Sequence, residues 1–145
     1  MKAVIQKVSE ASVKVDDRIV GKIGTGIVVL IGINTSDTEE NVKKMAKKIS
    51  ELRIFQNEDK YFDKSVLEIN GEILVISQFT LYGNCDNGRR PDFVEAQKSE
   101  LAKPLYEKFL DLLKEKNIKL QSGIFGADMK LNLTNDGPVT LIIEN

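Results

Sequence analysis

Ile27-Val28-Val29-Leu30-Ile31-Gly32-Ile33 is the run on which the architecture turns. It is continuously apolar and mostly aliphatic, with no polar alternation, which suits a central strand covered on both faces. Upstream, Ala3, Ile5 and Val8 begin an apolar pattern, and Ala11, Val13 and Val15 alternate strictly. Asp16-Asp17 forms a turn before Ile19-Val20 and Ile23, so the chain opens as strands joined by a hairpin. Gly21, Gly24 and Gly26 lie just before the run. No Lys-Ser/Thr follows them, and a strand stands where a helix N-terminus would be needed, so they read as turns and not as a phosphate cradle.

Downstream, Ser36 with Glu39 makes a capping box, and Val42, Met45, Ala46, Ile49 and Leu52 recur at helical spacing, predicting a helix over about 38–52. Its outer side carries Lys43, Lys44, Lys47 and Lys48, but Glu39, Glu40 and Glu51 lie close by, so a solvated face is the favoured reading. Arg53-Ile54-Phe55 is a short extended piece, and the polar stretch 56–71 reads as loop. Glu72 to Leu81 is a strand, and Tyr82 to Pro91 has loop composition. Asp92 with Glu95 is a second capping box, and Phe93, Ala96, Leu101, Leu105, Phe109, Leu112 and Leu113 continue helical spacing to about Lys116. Pro104 interrupts that pattern, either kinking one helix or marking the start of another. Strands return at Ile118–Ile124, Met129–Leu133 and Val139–Ile143. The expected fold is a single α+β domain over residues 1–145, with a mixed, mostly antiparallel β-sheet and two main helical regions.

Composition restricts the chemistry. The chain has no histidine, which excludes Ser-His-Asp and Cys-His catalysis and imidazole metal ligation. Its one cysteine, Cys85, can make neither an intrachain disulfide nor a structural zinc site. A net charge of −1 gives no general affinity for polyanions such as DNA. The apolar run is far short of the ~20 residues of a membrane span, and the alternating N-terminus is unlike a signal peptide. The expectation is a cytoplasmic protein with a free thiol, no membrane partner, no metal and no organic cofactor.

Two segments draw attention as sites. Ile73-Leu74-Val75-Ile76-Ser77-Gln78-Phe79-Thr80 is an apolar strand turning polar at its end, where hydroxyl and amide groups sit at a rim. As a strand it would put Ser77 and Phe79 on one face, Gln78 and Thr80 on the other. These groups serve either a reaction or the local backbone. A nucleophilic Thr80 would need a base, and no lysine flanks it. The second segment, Asn135-Asp136-Gly137-Pro138, has turn composition. It reads either as a plain turn or as a rigid corner whose exposed carbonyls act as acceptors or as a steric gate.

Together Ser77-Gln78-Phe79-Thr80-Leu81 and Asn135-Asp136-Gly137-Pro138-Val139-Thr140 resemble the two signature motifs of the D-aminoacyl-tRNA deacylases, the D-tyrosyl-tRNA deacylase family. The likeness also takes in Ala11-Ser12-Val13, Arg53-Ile54-Phe55, Gly88-Arg89-Arg90-Pro91 with Phe93, and Gly123-Ile124-Phe125-Gly126-Ala127-Asp128-Met129. Lys7 departs from the arginine common in the family, and Asp92 from its serine. The resemblance implies a homodimer joined through the sheet side, with active sites at the subunit interface. It implies hydrolysis of the ester linking a D-amino acid or glycine to the tRNA 3′ end, without a cofactor. Gly137-Pro138 would be a cis dipeptide entering the partner's pocket, where it rejects L side chains. Ser77, Gln78, Phe79 and Thr80 would line the reaction centre, and Phe125 and Met129 would hold the adenosine. Lys43, Lys47, Arg89 and Arg90 would meet the RNA backbone. A catalytically silent dimeric module binding a small amine or nucleotide is the alternative reading.

Overall fold

A computed structural model describes residues 1–86 and 88–145. The predicted loop Tyr82–Pro91 contains Asn87, which lies outside the described residues. Strands β1 (Lys2–Val15), β2 (Arg18–Ile23) and β3 (Gly26–Gly32) precede helix α1 (Glu39–Glu51). A small hairpin of β4 (Arg53–Asn57) and β5 (Lys60–Ser65) follows, then β6 (Glu72–Ser77), helix α2 (Ser99–Lys114), β7 (Lys119–Ser122) and β8 (Lys130–Glu144).

The main sheet runs β2-β1-β3-β6-β7, with β8 lying along the whole of β1. The β1 pairings are antiparallel, while β3-β6 and β6-β7 are parallel. Asp16 and Asp17, at φ 47° and 60°, close the β1-β2 hairpin in the left-handed region that short Asx residues tolerate. The apolar run behaves as its composition demands. Ile27, Val29 and Ile31 pack with Ile73 and Val75 under the helices, while Val28 joins Leu74 and Ile76 in a second core on the other face. That second core is covered because the sheet curls on itself. At Gly21 of β2, a Cβ would stand 3.1 Å from both Leu74 Cδ1 and the Ser122 carbonyl, so only glycine lets the strand pass this close.

Helix α1 buries Val42, Met45, Ala46 and Ile49, the predicted stripe. Its cap lies two residues beyond the expected one. The Thr38 amide donates to Asn41 Oδ1 (3.1 Å), while the Ser36 amide is taken by Asn34 Oδ1 (2.9 Å). The stretch 56–71 is not all loop, since β5 pairs with β4 there. Helix α2 buries Ala102, Tyr106, Phe109 and Leu113 and carries Pro104 within it, so there is one helix and not two. It starts at Ser99, well after the expected Asp92 box. Asp92 instead bridges to Asn84 through a pair of backbone bonds and accepts the Val94 amide on Oδ1, an Asx turn that competes with helix initiation. No described helix is long and apolar enough to cross a membrane.

Two further differences shape the site. The strand expected over Glu72–Leu81 ends at Ser77. The Gln78 amide still bonds Ile31 O (2.8 Å), but β3 ends at Gly32, and residues Phe79–Tyr82 wind into a 3₁₀ turn. The expected turn at Asn135–Pro138 does not reverse the chain. β8 keeps one partner throughout, with Gln6 opposite Thr140 and Val8 opposite Asn135, so the four residues 136–139 leave the ladder as a bulge. Alternation alone puts Val8 on the face opposite Ala3 and Ile5, and a second register shift between Val8 and Glu10 brings Ala11 and Val13 into the same core as Val8.

Candidate active site

The parallel strands β3 and β6 end side by side, with Ile31 opposite Ser77. Beyond them opens a cleft of about 500 Å³. Ile31, Ile76 and Leu131 give it an apolar floor, and Ser77 and Gln78 bring polar groups to it. Phe79, more than half exposed, stands against Phe93 edge to face with centroids 5.0 Å apart. Opposite, Phe125 from the β7-β8 connection leans on Tyr106 of α2 at 5.4 Å, and Met129 lines the same side. The Tyr106 hydroxyl donates to Val75 O (3.3 Å), and burial pushes its pKa up to about 12, so it stays neutral through the physiological range.

Five of the expected residues, Ser77, Gln78, Phe79, Phe125 and Met129, thus share one cleft. Thr80 does not line it. The 3₁₀ turn lifts it off the strand, and its Oγ1 accepts from the Gln78 side-chain Nε2 (2.5 Å). The opposite-face assignment of Phe79 and Thr80 therefore lapses, because period-two geometry stops at Ser77. Gly137 and Pro138 also lie outside the cleft of their own chain, as do Lys43, Lys47, Arg89 and Arg90.

The bulge has its own construction. The Gly137-Pro138 peptide is cis, and Gly137 has φ +122°. Asn135 spans the bulge: its Oδ1 accepts the Val139 amide (3.1 Å), and its Nδ2 donates to Thr140 Oγ1 (2.8 Å). Lys7 Nζ pairs with Asp136 Oδ2 at 2.9 Å.

Chemically the cleft offers aromatic faces, an amide and a hydroxyl, but no base bonded to a nucleophile. Among the described residues neither Ser77 nor Thr80 has its hydroxyl hydrogen-bonded to a lysine or carboxylate, and no three metal-ligating side chains gather. The first amides of the 3₁₀ turn, those of Phe79 and Thr80, have no acceptor among the described residues. Sequence reading missed Tyr106, which lies within the expected helical region but is marked by no motif. It also missed Gln97, Lys98 and Ser99, polar residues in a stretch without a motif, and gave no role to Asp128 within Gly123–Met129.

The family model described as D-Tyr-tRNA(Tyr) deacylase matches residues 4–144. A D-aminoacyl-tRNA deacylase of Clostridium botulinum (strain Alaska E43 / Type E3) is 57% identical over 145 residues, covering 100% of this chain and 97% of that one. One of Thermotoga petrophila is 50% identical over the same coverage. A solved structure described as c-Myc DNA Unwinding Element Binding Protein matches with TM-score 0.93 and 42% identity, covering 100% of this chain and 99% of the other. A probable eukaryotic D-amino acid tRNA deacylase shares the fold with TM-score 0.87 at 18% identity, over 98% and 97% of the two chains.

Proposed function

The chain belongs to the D-Tyr-tRNA(Tyr) deacylase family and is an aminoacyl-tRNA ester hydrolase, and from that premise we propose how it acts. It frees tRNA from D-amino acids, and from glycine, by holding the ester in the cleft for attack by water. The observation that carries this reading is the juxtaposition, at the end of β6, of Ser77 and Gln78 with Phe79, whose amide has no acceptor among the described residues.

An aminoacyl ester is already activated, and the adjacent ribose hydroxyl can help position water. Such a reaction asks mainly for orientation and for donors aimed at the developing oxyanion, which backbone amides supply. A nucleophilic side chain would need a base, and the cleft supplies none to Ser77 or Thr80. Phe125 gives a face for the adenine, as Met129 gives a soft edge. The substrate is made and used in the cytoplasm, which is where the enzyme would work.

Chirality is assigned to the Gly137-Pro138 bulge of a second copy. What supports this is that the bulge is exposed, held by Asn135 and Lys7, and outside its own cleft, so a homodimer through the sheet side would complete the site. β8 is an edge strand with Leu141 and Ile142 exposed, the kind of edge that pairing with another chain covers. Fixed carbonyls there would take the α-amino group and leave no room for an L side chain. The net charge of −1 does not favour a duplex-binding surface, so the partner proposed is the tRNA 3′ end and not DNA.

The test is deacylation of D-tyrosyl-tRNA, glycyl-tRNA and L-tyrosyl-tRNA side by side, with the mass in solution. Turnover of the first two, sparing of the L-ester, and a mass near twice 16.2 kDa are expected. Equal turnover of both enantiomers would remove the chiral gate, and a fully active monomer would remove the borrowed corner.

A further inference from the structure

Among the described residues, those lining the cleft include two with charged side chains, Lys98 and Asp128. They come from different walls. Asp128 belongs to the β7-β8 connection, whereas Lys98 is the residue just before α2. On the helices Lys44 pairs with Glu40, Lys103 with Glu107 and Lys114 with Asp111, whereas Lys43, Lys47, Lys48 and Lys108 are exposed without an ion-pair partner among the described residues. Lys98 has no ion-pair partner among the described residues.

Its backbone is nonetheless held firmly. The Thr35 amide donates to Glu95 O (3.0 Å) and the Gln97 amide to Ile33 O (2.9 Å), strapping the segment before α2 to the end of β3. Gln97 adds a side-chain bond to Thr35 O (3.3 Å), and its Oε1 accepts the Lys98 amide (2.9 Å). Lys98 is exposed, and it is the one cation among the described residues that line the cleft, carried on a fixed stretch of its wall where an anionic group of a bound ligand would meet it.

We propose that Lys98 binds the phosphodiester on the 5′ side of the substrate's terminal adenosine. This rests on the reading of the cleft as the aminoacyl-tRNA site. Of the groups at that end of the substrate, the nucleoside and the ester are neutral and the α-amino group is cationic. The phosphodiester is the only anion. Lys98 therefore orients the substrate, drawing the phosphate to the α2 wall and leaving the amino-acid end to the Ser77–Phe79 side. It also makes the cleft distinguish a polynucleotide end from a free nucleoside ester.

The experiment compares D-tyrosyl-tRNA with D-tyrosyl-adenosine, which lacks the phosphate, in the wild type, Lys98→Ala, Lys98→Arg and Lys103→Glu. Lys103 lies farther along α2, outside the cleft, and reports the general effect of charge. In Lys98→Ala the ratio of kcat/KM for tRNA over adenosine should fall about tenfold, the scale of one charge-assisted hydrogen bond, mostly through KM. The salt dependence of KM should flatten by about one phosphate contact. Lys98→Arg should restore the ratio, and Lys103→Glu should keep it. An unchanged ratio in Lys98→Ala, or an equal fall in Lys103→Glu, overturns the proposal. A wild type that hydrolyses neither ester would sink the deacylase reading itself, a separate outcome.

Discussion

Lys7 Nζ lies 2.9 Å from Asp136 Oδ2, so the middle of β1 grips the one segment of β8 that leaves its ladder. Lys7 is mostly buried, with 18% of its side chain exposed against 51% for Asp136, and its ammonium lies 6.0 Å from the Phe55 ring centroid. The pair sits at the boundary of solvent, where ion pairs add little to stability, yet it fixes the position of the bulge.

From this, Lys7→Met should cost below about 1 kcal/mol of unfolding free energy. The rate on D-tyrosyl-tRNA should fall further, by about tenfold, because small displacements of a positioning group are costly. Lys7→Arg should keep both. Urea midpoints and kcat/KM read on the same preparations check this, and an activity loss no larger than the stability loss would refute the positioning role.

Gly137→Ala should fail for a local reason. The residue sits at φ +122°, and an added Cβ would stand 2.8 Å from Val139 Cγ2. Val139 is packed on the core under the helices and cannot easily retreat. The strain should cost about 1–3 kcal/mol, and D-tyrosyl-tRNA turnover should drop by more than that destabilisation explains. Wild-type turnover in a folded variant would rule out the corner as part of the site.

Thr80→Ala removes a hydroxyl that accepts from Gln78 and touches no base. Single-turnover deacylation should slow by less than about tenfold, the worth of one neutral hydrogen bond. Complete loss in a variant that still folds and binds substrate would make Thr80 the nucleophile.

Tyr106→Phe addresses pH. Burial raises the Tyr106 pKa to about 12 from its ordinary value near 10, because the native state disfavours the phenolate. The tyrosine's contribution is therefore complete below pH ~10 and is lost as pH rises toward 12. Unfolding midpoints at pH 7, 10 and 11 should show the wild type losing stability over that range more steeply than Tyr106→Phe. Parallel curves would contradict the assignment.

Much of the fold was legible in residue order. The run from Ile27 could only be a doubly covered strand, and the α1 stripe from Val42 to Ile49 could only be a helix face, since each pattern repeats within a few residues. Failures came where local signals compete. Asp92 and Glu95 satisfy a capping rule, but Asp92 spends its carboxylate on the Val94 amide. Asn-Asp-Gly-Pro satisfies a turn rule, but the strand beyond it rejoins the same edge of β1.

Read alone, the chain determined its central strand, its first helix, its opening hairpin and, through the absence of histidine, the chemistry closed to it. These are matters of short-range periodicity and inventory. Only the folded molecule decided that Ser77, Phe79, Phe125 and Met129 meet at one cleft, that Thr80 and Gly137-Pro138 do not line it, and that Lys98 stands on its wall. Those outcomes depend on where β3 ends beside β6 and on how far β8 slips along β1. Contacts between residues distant in sequence set both.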